Sequence, residues 1–263
     1  MGLIIEPHRA PLIRNAFGFG FSPGGRAAKK RAAAAASNPV FDPLTLSPSL
    51  WVRASFAASP WADESGNSRD LSEATNPPGT FAIGAFTAAD FDGTNDRLSR
   101  ANTISTVCPS AGPFGIAGLI WIDTAAADAG AAAFYLNPSI ICDDTEGRLG
   151  VSASDAGISF GCFNGATFNS VQVACGTGAW HAFFASSDGT DFILSVDAGS
   201  TSTLARGAIS YAAADTLMIG KNYDGSALLD GKTAELLFKP SVFDATNRSN
   251  MRSYWNARYG LSL

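Results

Sequence analysis

Clustered carboxylates, imidazoles, thiols and glycine-rich turns are the groups that could do chemistry in this chain, and their spacing decides which chemistry. Two turn-like stretches gather hard oxygen ligands: Asp92, Asn95 and Asp96 in "FDGTND", and Asp143, Asp144 and Glu146 in "CDDTEG". Such oxygens suit calcium, although neither stretch follows the EF-hand loop. Asp and Asn are also the ordinary residues of turns, and that reading is preferred. Calcium remains the alternative, and no other cofactor is expected. The glutamates Glu6, Glu64, Glu73, Glu146 and Glu235 are scattered along the chain. A retaining glycosidase needs two carboxylates about 5 Å apart, and no pair suggests itself.

The remaining reactive groups point the same way. His181 follows Trp180 inside an apolar run, so a half-buried strand histidine is preferred to a catalytic base. Cys108, Cys142, Cys162 and Cys175 are spaced by 34, 20 and 13 residues with no CxxC pair, and only His8 and His181 could assist them. Zinc is therefore not expected. Buried free thiols are the default, with a Cys162–Cys175 disulfide as the alternative. The glycine-rich "GFGFSPGG" (Gly18–Gly25) has no strand before it or helix after it, so it is not a phosphate loop. No catalytic residue is assigned, and the chain is expected not to be an enzyme.

The elements that would position any site are mostly strands. "FGIAGLIWID" (Phe114–Asp123) is apolar on both faces and reads as a central strand. "RLGVSAS", "GISFGCF", "FNSVQVA", "AWHAFFAS", "DFILSVD", "DTLMIGK" and "GKTAELLFKP" follow, separated by short polar turns. Asp188-Gly189 between two of them signals a hairpin. Strands at this spacing, without interleaved helices, predict an all-β sandwich or barrel. Trp180, Phe192 and Leu194 are expected in its interior. One helix is predicted, with Asp244 as N-cap, Gly260 as stop, and Met251, Trp255 and Arg258 on one face.

Charge divides the chain. The net charge is −5, yet residues 1–40 hold six Lys/Arg and one acid, a net of +5. The rest holds twelve basic and twenty-two acidic residues, a net of −10. Residues 1–40 are read as an extended basic arm and residues 41–263 as the folded domain. Leu3, Ile4, Ile5, Leu12, Ile13, Phe17, Phe19 and Phe21 could anchor the arm in another chain, with Lys29, Lys30 and Arg31 near acidic side chains. The arm lacks the interleaved aromatics of a nucleic-acid module, so no specific nucleic acid is expected. No apolar run approaches the roughly 18 residues of a membrane span, and "MGLIIEPHRAPLIR" lacks the apolar centre of a secretory signal. Sugar stacking would need exposed aromatics, for which Trp51, Trp61, Tyr135, Tyr223 and Tyr254 are candidates, each equally suited to a core.

An ordered series of motifs carries a resemblance: "WADESGNSRDL" (Trp61–Leu71), "FDGTNDRL" (Phe91–Leu98), "GAWHAFFASSDGTDFILSVDAG" (Gly178–Gly199), "LMIGKNYDGSALLDGKTAELLFKPSVF" (Leu217–Phe243) and the closing "SYWNARYGLSL". Together, over roughly Leu50 to Leu263, they resemble the concanavalin A-like, laminin-G-type jelly rolls. The resemblance implies an antiparallel jelly-roll sandwich with a C-terminal helix. The strand that usually closes in Asp-Gly here reads Asp197-Ala198-Gly199, implying an altered turn. Glucan-cutting members carry ExDxxE on one strand, which this chain lacks. Glu235 falls at the family's structural glutamate position, where bonding to backbone or an arginine is implied. The subset with "FDG.ND" near the start and "RYGL" at the end looks like jelly rolls of bacteriophage virion proteins and bacterial surface proteins. That resemblance implies a structural subunit on the virion's outer surface, made in the host cytoplasm, present in many copies or as a homo-oligomer, and held to other virion proteins by the arm. A lectin module for host-surface glycans is the alternative.

Overall fold

In the computed structural model, residues 41–124, 139–143, 149–163, 168–206, 209, 215–222 and 226–263 are described. The anchoring residues of the arm, Asp144, Glu146, Tyr135 and Tyr223 lie outside them, as does the side chain of Asp143. Fourteen strands are present among the described residues. In chain order they are β1 (Leu50–Arg53), β2 (Gly79–Ile83), β3 (Phe86–Asp92), β4 (Leu98–Arg100), β5 (Phe114–Thr124), β6 (Ser139–Asp143) and β7 (Gly150–Ser154). There follow β8 (Gly157–Phe163), β9 (Phe168–Val173), β10 (Trp180–Ser187), β11 (Asp191–Val196), β12 (Ser202–Ala205), β13 (Leu217–Ile219) and β14 (Asp230–Lys239). A short helix α1 (Ile104–Val107) and the long α2 (Ala245–Tyr259) complete the elements used below.

The strands form two antiparallel sheets, as a jelly-roll sandwich requires. The larger runs β12-β11-β10-β5-β14-β3-β2, with β1 also paired to β14, and the smaller runs β4-β13-β6-β7-β8-β9. β14 is the hinge of this topology. One of its edges pairs with β5 along nearly its whole length, while the other takes β3 over Asp230–Thr233 and β1 over Glu235–Phe238. Every strand anticipated from the alternation exists within a residue or two. The β10–β11 hairpin also closes as expected, with Asp188 accepting the Thr190 and Asp191 amides at 2.8 Å and Gly189 at φ 101°.

Period-two alternation gives the larger sheet two apolar faces. Ile116, Ile120, Ile122, Phe183, Phe192, Leu194 and Leu236 point at the smaller sheet and meet Ile141, Val151, Ile158, Phe160 and Ile219. Gly118 makes room there, because a Cβ at that position would sit 2.2 Å from the Phe183 ring. Ala117, Leu119, Ala182, Phe184, Ala234 and Leu237 point the other way and are covered by Met251, Tyr254, Trp255 and Tyr259 of α2. These four α2 residues recur at three- and four-residue spacing, which lines them along one face of the helix. Asp244 caps α2 through the Asn247 amide at 2.7 Å, and Gly260 ends it in the left-handed region. Trp255 stacks on Phe184 with ring centroids 5.6 Å apart.

The structure corrects one core expectation. Phe192 and Leu194 lie between the sheets, but Trp180 does not. It is half-buried on the outer face, at the end of the strand set that α2 covers. The physical reason is parity: Phe183 must enter the interior beside Gly118, so Trp180, three residues earlier, faces outward.

Candidate functional site

Between β2, β3, β14, β5 and β10, one row of side chains crosses the outer face of the larger sheet. Gly79 pairs with Asp90, Asp90 with Lys232, Lys232 with Trp121, and Trp121 with Trp180. Directly opposed residues in antiparallel strands project to the same side, so these groups form one continuous surface. Gly231 permits it: a Cβ there would lie 2.3 Å from the Trp121 carbonyl oxygen. Trp121 and Trp180 meet edge to face at 5.9 Å, and Phe81 tilts against Trp180 at 6.4 Å. All three rings are half-exposed.

Lys232 lies at the centre of this surface and is only 7% exposed. Burying an ammonium is costly unless charges and ring faces replace its water. Here Nζ pairs closely with Asp123 Oδ2, reaches Asp90 Oδ1 at 3.6 Å, and lies 4.8 Å from the Phe81 ring centroid and 5.9 Å from that of Trp121. Trp121 Nε1 donates to the other Asp123 oxygen at 2.8 Å, which ties the indole to the same ion pair. Beside this box opens a cleft of about 580 Å³ lined by Gly79, Asp90, Phe91, Asp92, Asp96, Asp123, Asp230 and Lys232. Its volume is that of a small-ligand site.

The aspartates Asp92 and Asp96, for which calcium is the alternative, line this cleft, and their hydrogen bonds are those of the preferred turn reading. Asp92 Oδ1 accepts the Thr94 and Asn95 amides at 2.8 and 3.3 Å, and Asp96 Oδ2 accepts the Asp92 amide at 3.0 Å. Asn95 contributes its amide nitrogen to that turn. Burial, followed by the charges of Asp92 and Asp90, raises the Asp96 carboxyl above its ordinary range. Among the described residues no group of three or more His, Cys, Asp or Glu side chains has an arrangement that would hold a metal ion.

Glu235 departs from the expected bonding. A register shift between Thr233 and Glu235 turns Ala234 and Glu235 to the same outer face, under α2. The carboxylate is fully buried and accepts Trp51 Nε1 and Tyr259 Oη, each at 2.7 Å. Its partners are thus aromatic side chains, and among the described residues neither backbone nor an arginine donates to it at hydrogen-bond distance. Burial pushes its pKa up to about 7, against the lowering effect of Tyr259, Trp51, Trp255 and the charge of Arg258. His181 is also structural. Nδ1 meets Asp197 Oδ2 at 2.8 Å and Nε2 meets the Gly176 carbonyl at 2.9 Å, so both nitrogens face acceptors. Those contacts favour the imidazolium, whose pKa is raised chiefly by the Asp197 hydrogen bond. Asp197 itself adopts a positive φ of 53° at the turn it forms with Ala198 and Gly199.

The aromatic candidates read from sequence fall elsewhere. Trp51, Trp61 and Tyr254 are buried, and the platform is made by Trp121, Trp180 and Phe81 instead. Trp121 and Trp180 sit in strands rich in apolar residues, which hides an outward-facing indole. A signal was present in "WID", where Asp123 follows Trp121 on the same face of the strand. Cys162 and Cys175 are both thiols, so the disulfide between them is not formed. Burial raises Cys162 and Cys175 to about 11.

No protein-family model and no curated protein matches the chain. Solved structures do. The chain is similar to the binding domain of botulinum neurotoxin DC in complex with SialylT, at 10% identity over 81% of this chain and 52% of that one, with a TM-score of 0.56. It is similar to Trypanosoma rangeli sialidase in complex with sialic acid, at 11% identity over 81% of this chain and 33% of that one, with a TM-score of 0.57. A third likeness is to the binding domain of Paraclostridial Mosquitocidal Protein 1, at 9% identity over 79% and 52%, with a TM-score of 0.57. The chain thus spans between a third and about half of these structures. At such identities they show a shared β-sandwich fold, which occurs both in sialidases and in binding domains.

Proposed function

We propose that this chain is a non-enzymatic carbohydrate-binding module, with the sugar resting on Trp121, Trp180 and Phe81 beside the acidic cleft. The observation that carries the reading is the in-register row Asp90, Lys232, Trp121 and Trp180. A pyranose presents an apolar face that stacks on aromatic rings and an edge of hydroxyls that hydrogen-bond to carboxylates and ammonium groups. This surface offers both within one strand spacing. The fold neighbours bound to SialylT and to sialic acid support the glycan reading at the level of fold. Against catalysis, Glu235 is sealed beneath α2 and reaches no solvent, and Asp96 gives one oxygen to the Asp92 turn.

A glycan array probed with the full chain should show binding that Trp121→Ala abolishes, with no reducing sugar released from any bound glycan. Binding that persists in Trp121→Ala would place the site elsewhere, and release of reducing sugar would make the chain a hydrolase. The charge asymmetry between residues 1–40 and the remainder supports a second, compatible reading. In it the arm fastens the module to the outside of a bacteriophage particle among other virion proteins. Deleting residues 1–40 should then prevent incorporation while leaving glycan binding intact.

A further inference from the structure

We infer that Lys232, acting with Asp123, is the positioning residue of the aromatic platform, holding Phe81, Trp121 and Trp180 in the one arrangement that a sugar stacks on. This rests on the glycan-binding reading and names what prepares that surface before the ligand arrives.

The four side chains close a circuit of contacts. Lys232 Nζ lies 4.8 Å from the Phe81 ring centroid and 5.9 Å from that of Trp121. Trp121 meets Trp180 at 5.9 Å, and Trp180 meets Phe81 at 6.4 Å. β2 and β10, which carry Phe81 and Trp180, stand four strand spacings apart, about 19 Å across a flat sheet. Their rings meet only because the side chains lean inward over a curled sheet. Ala88, paired with Phe81, is small enough to be leaned across. Lys232 is on β14, the middle strand of that span, and its ammonium is the group that both flanks share.

A second tie runs through a carboxylate. Asp123 gives one oxygen to Lys232 Nζ and the other to Trp121 Nε1, so the ion pair sets the direction in which the indole points. Hydrogen bonds to an ionised acceptor are stronger than those to a neutral one. The cation that holds Asp123 is itself 7% exposed and also reaches Asp90 at 3.6 Å. Packing alone would be met by an apolar chain of similar length, without desolvating an ammonium. Rings already set in place lose less rotamer freedom when a ligand settles on them, which raises affinity without any added contact.

The test uses the full chain, an array of immobilised glycans, and the nitrogen-15 indole spectrum of the free protein. Lys232→Met should raise the concentration that half-saturates each bound glycan by at least about tenfold, and should displace the Trp121 Nε1–H signal. Lys232→Arg, which keeps a cation for Asp123 and the rings, should recover most of that loss. Asp123→Ala, at a side chain 35% exposed, should bind as weakly as Lys232→Met. The double variant should lose less than about threefold more, because both groups act through the same rings. Unchanged half-saturation in Lys232→Met, or losses that multiply in the double variant, overturn the positioning role and leave the glycan site standing. If Lys232→Met does not fold, Asp123→Ala decides: wild-type binding with the Trp121 signal displaced overturns the inference. A wild type that binds nothing on the array removes the glycan site, and the inference with it.

Discussion

Glu235 and Lys232 show how the same sheet treats two buried charges differently. Lys232 is surrounded by carboxylates and ring faces, whereas Glu235 is sealed among neutral aromatic donors and is pushed up to about 7 by burial. A carboxyl whose folded pKa exceeds its unfolded value of 4.5 binds its proton more tightly in the folded state. The stabilisation is present in full below pH 4.5 and is lost as pH rises to about 7, on the order of 3 kcal/mol over that window. His181, also raised, loses its contribution at still higher pH, above its ordinary 6.5. Urea midpoints measured from pH 4.5 to 7 should therefore fall in the wild type, and Glu235→Gln should flatten that fall. An equal slope in both proteins would show that Glu235 is ionised in the fold. From the sequence, Glu235 is legible as structural, but its partners are not. They lie 184 and 24 residues away, on β1 and α2, and a register shift that leaves no mark in the sequence brings it to them.

Among the elements, α2 matters because it decides which part of the outer face stays open. Its buried stripe covers Ala182, Phe184, Ala234 and Leu237, and leaves Trp121, Trp180 and Lys232 at the uncovered end. Trp255→Ala should destabilise by about 3–5 kcal/mol, because it opens a large cavity over Phe184. Trp180→Ala, half-exposed, should cost only roughly 1–2 kcal/mol in proportion to the area it buries. Thermal denaturation of the two variants checks the contrast, and equal losses would put Trp180 back in a core. The helix was legible because capping and stripe agree from Asp244 to Gly260. β1, β2, β3, β4, β6 and β12 were not anticipated, since they are short or alternate weakly. β12 carries one half-buried residue and three exposed ones, and its pairing comes from β11 rather than from its own pattern.

For the whole molecule, the sandwich was readable because apolar runs and turn residues agree from β5 to β14, where most pairings join strands near in sequence. The site was less readable, since its row joins β2, β3, β14, β5 and β10, which the topology brings together from distant parts of the chain. Asp92 and Asp96, read from the sequence as turn residues with calcium as the alternative, do reach that site as a turn and a cleft wall. A chain beginning at Phe41 should fold with unchanged midpoint, because the described residues of 41–263 already build two apolar clusters. A large loss of cooperativity in its urea curve would make the arm part of the fold. The central claim, that the half-exposed indoles form a glycan site, is tested most directly by the five tryptophan indole N–H resonances in a nitrogen-15-labelled sample. Titration with a glycan identified on the array should shift the signals of Trp121 and Trp180 and leave those of Trp51, Trp61 and Trp255 in place. Shifts confined to the buried three, or none at saturating sugar, would contradict the account.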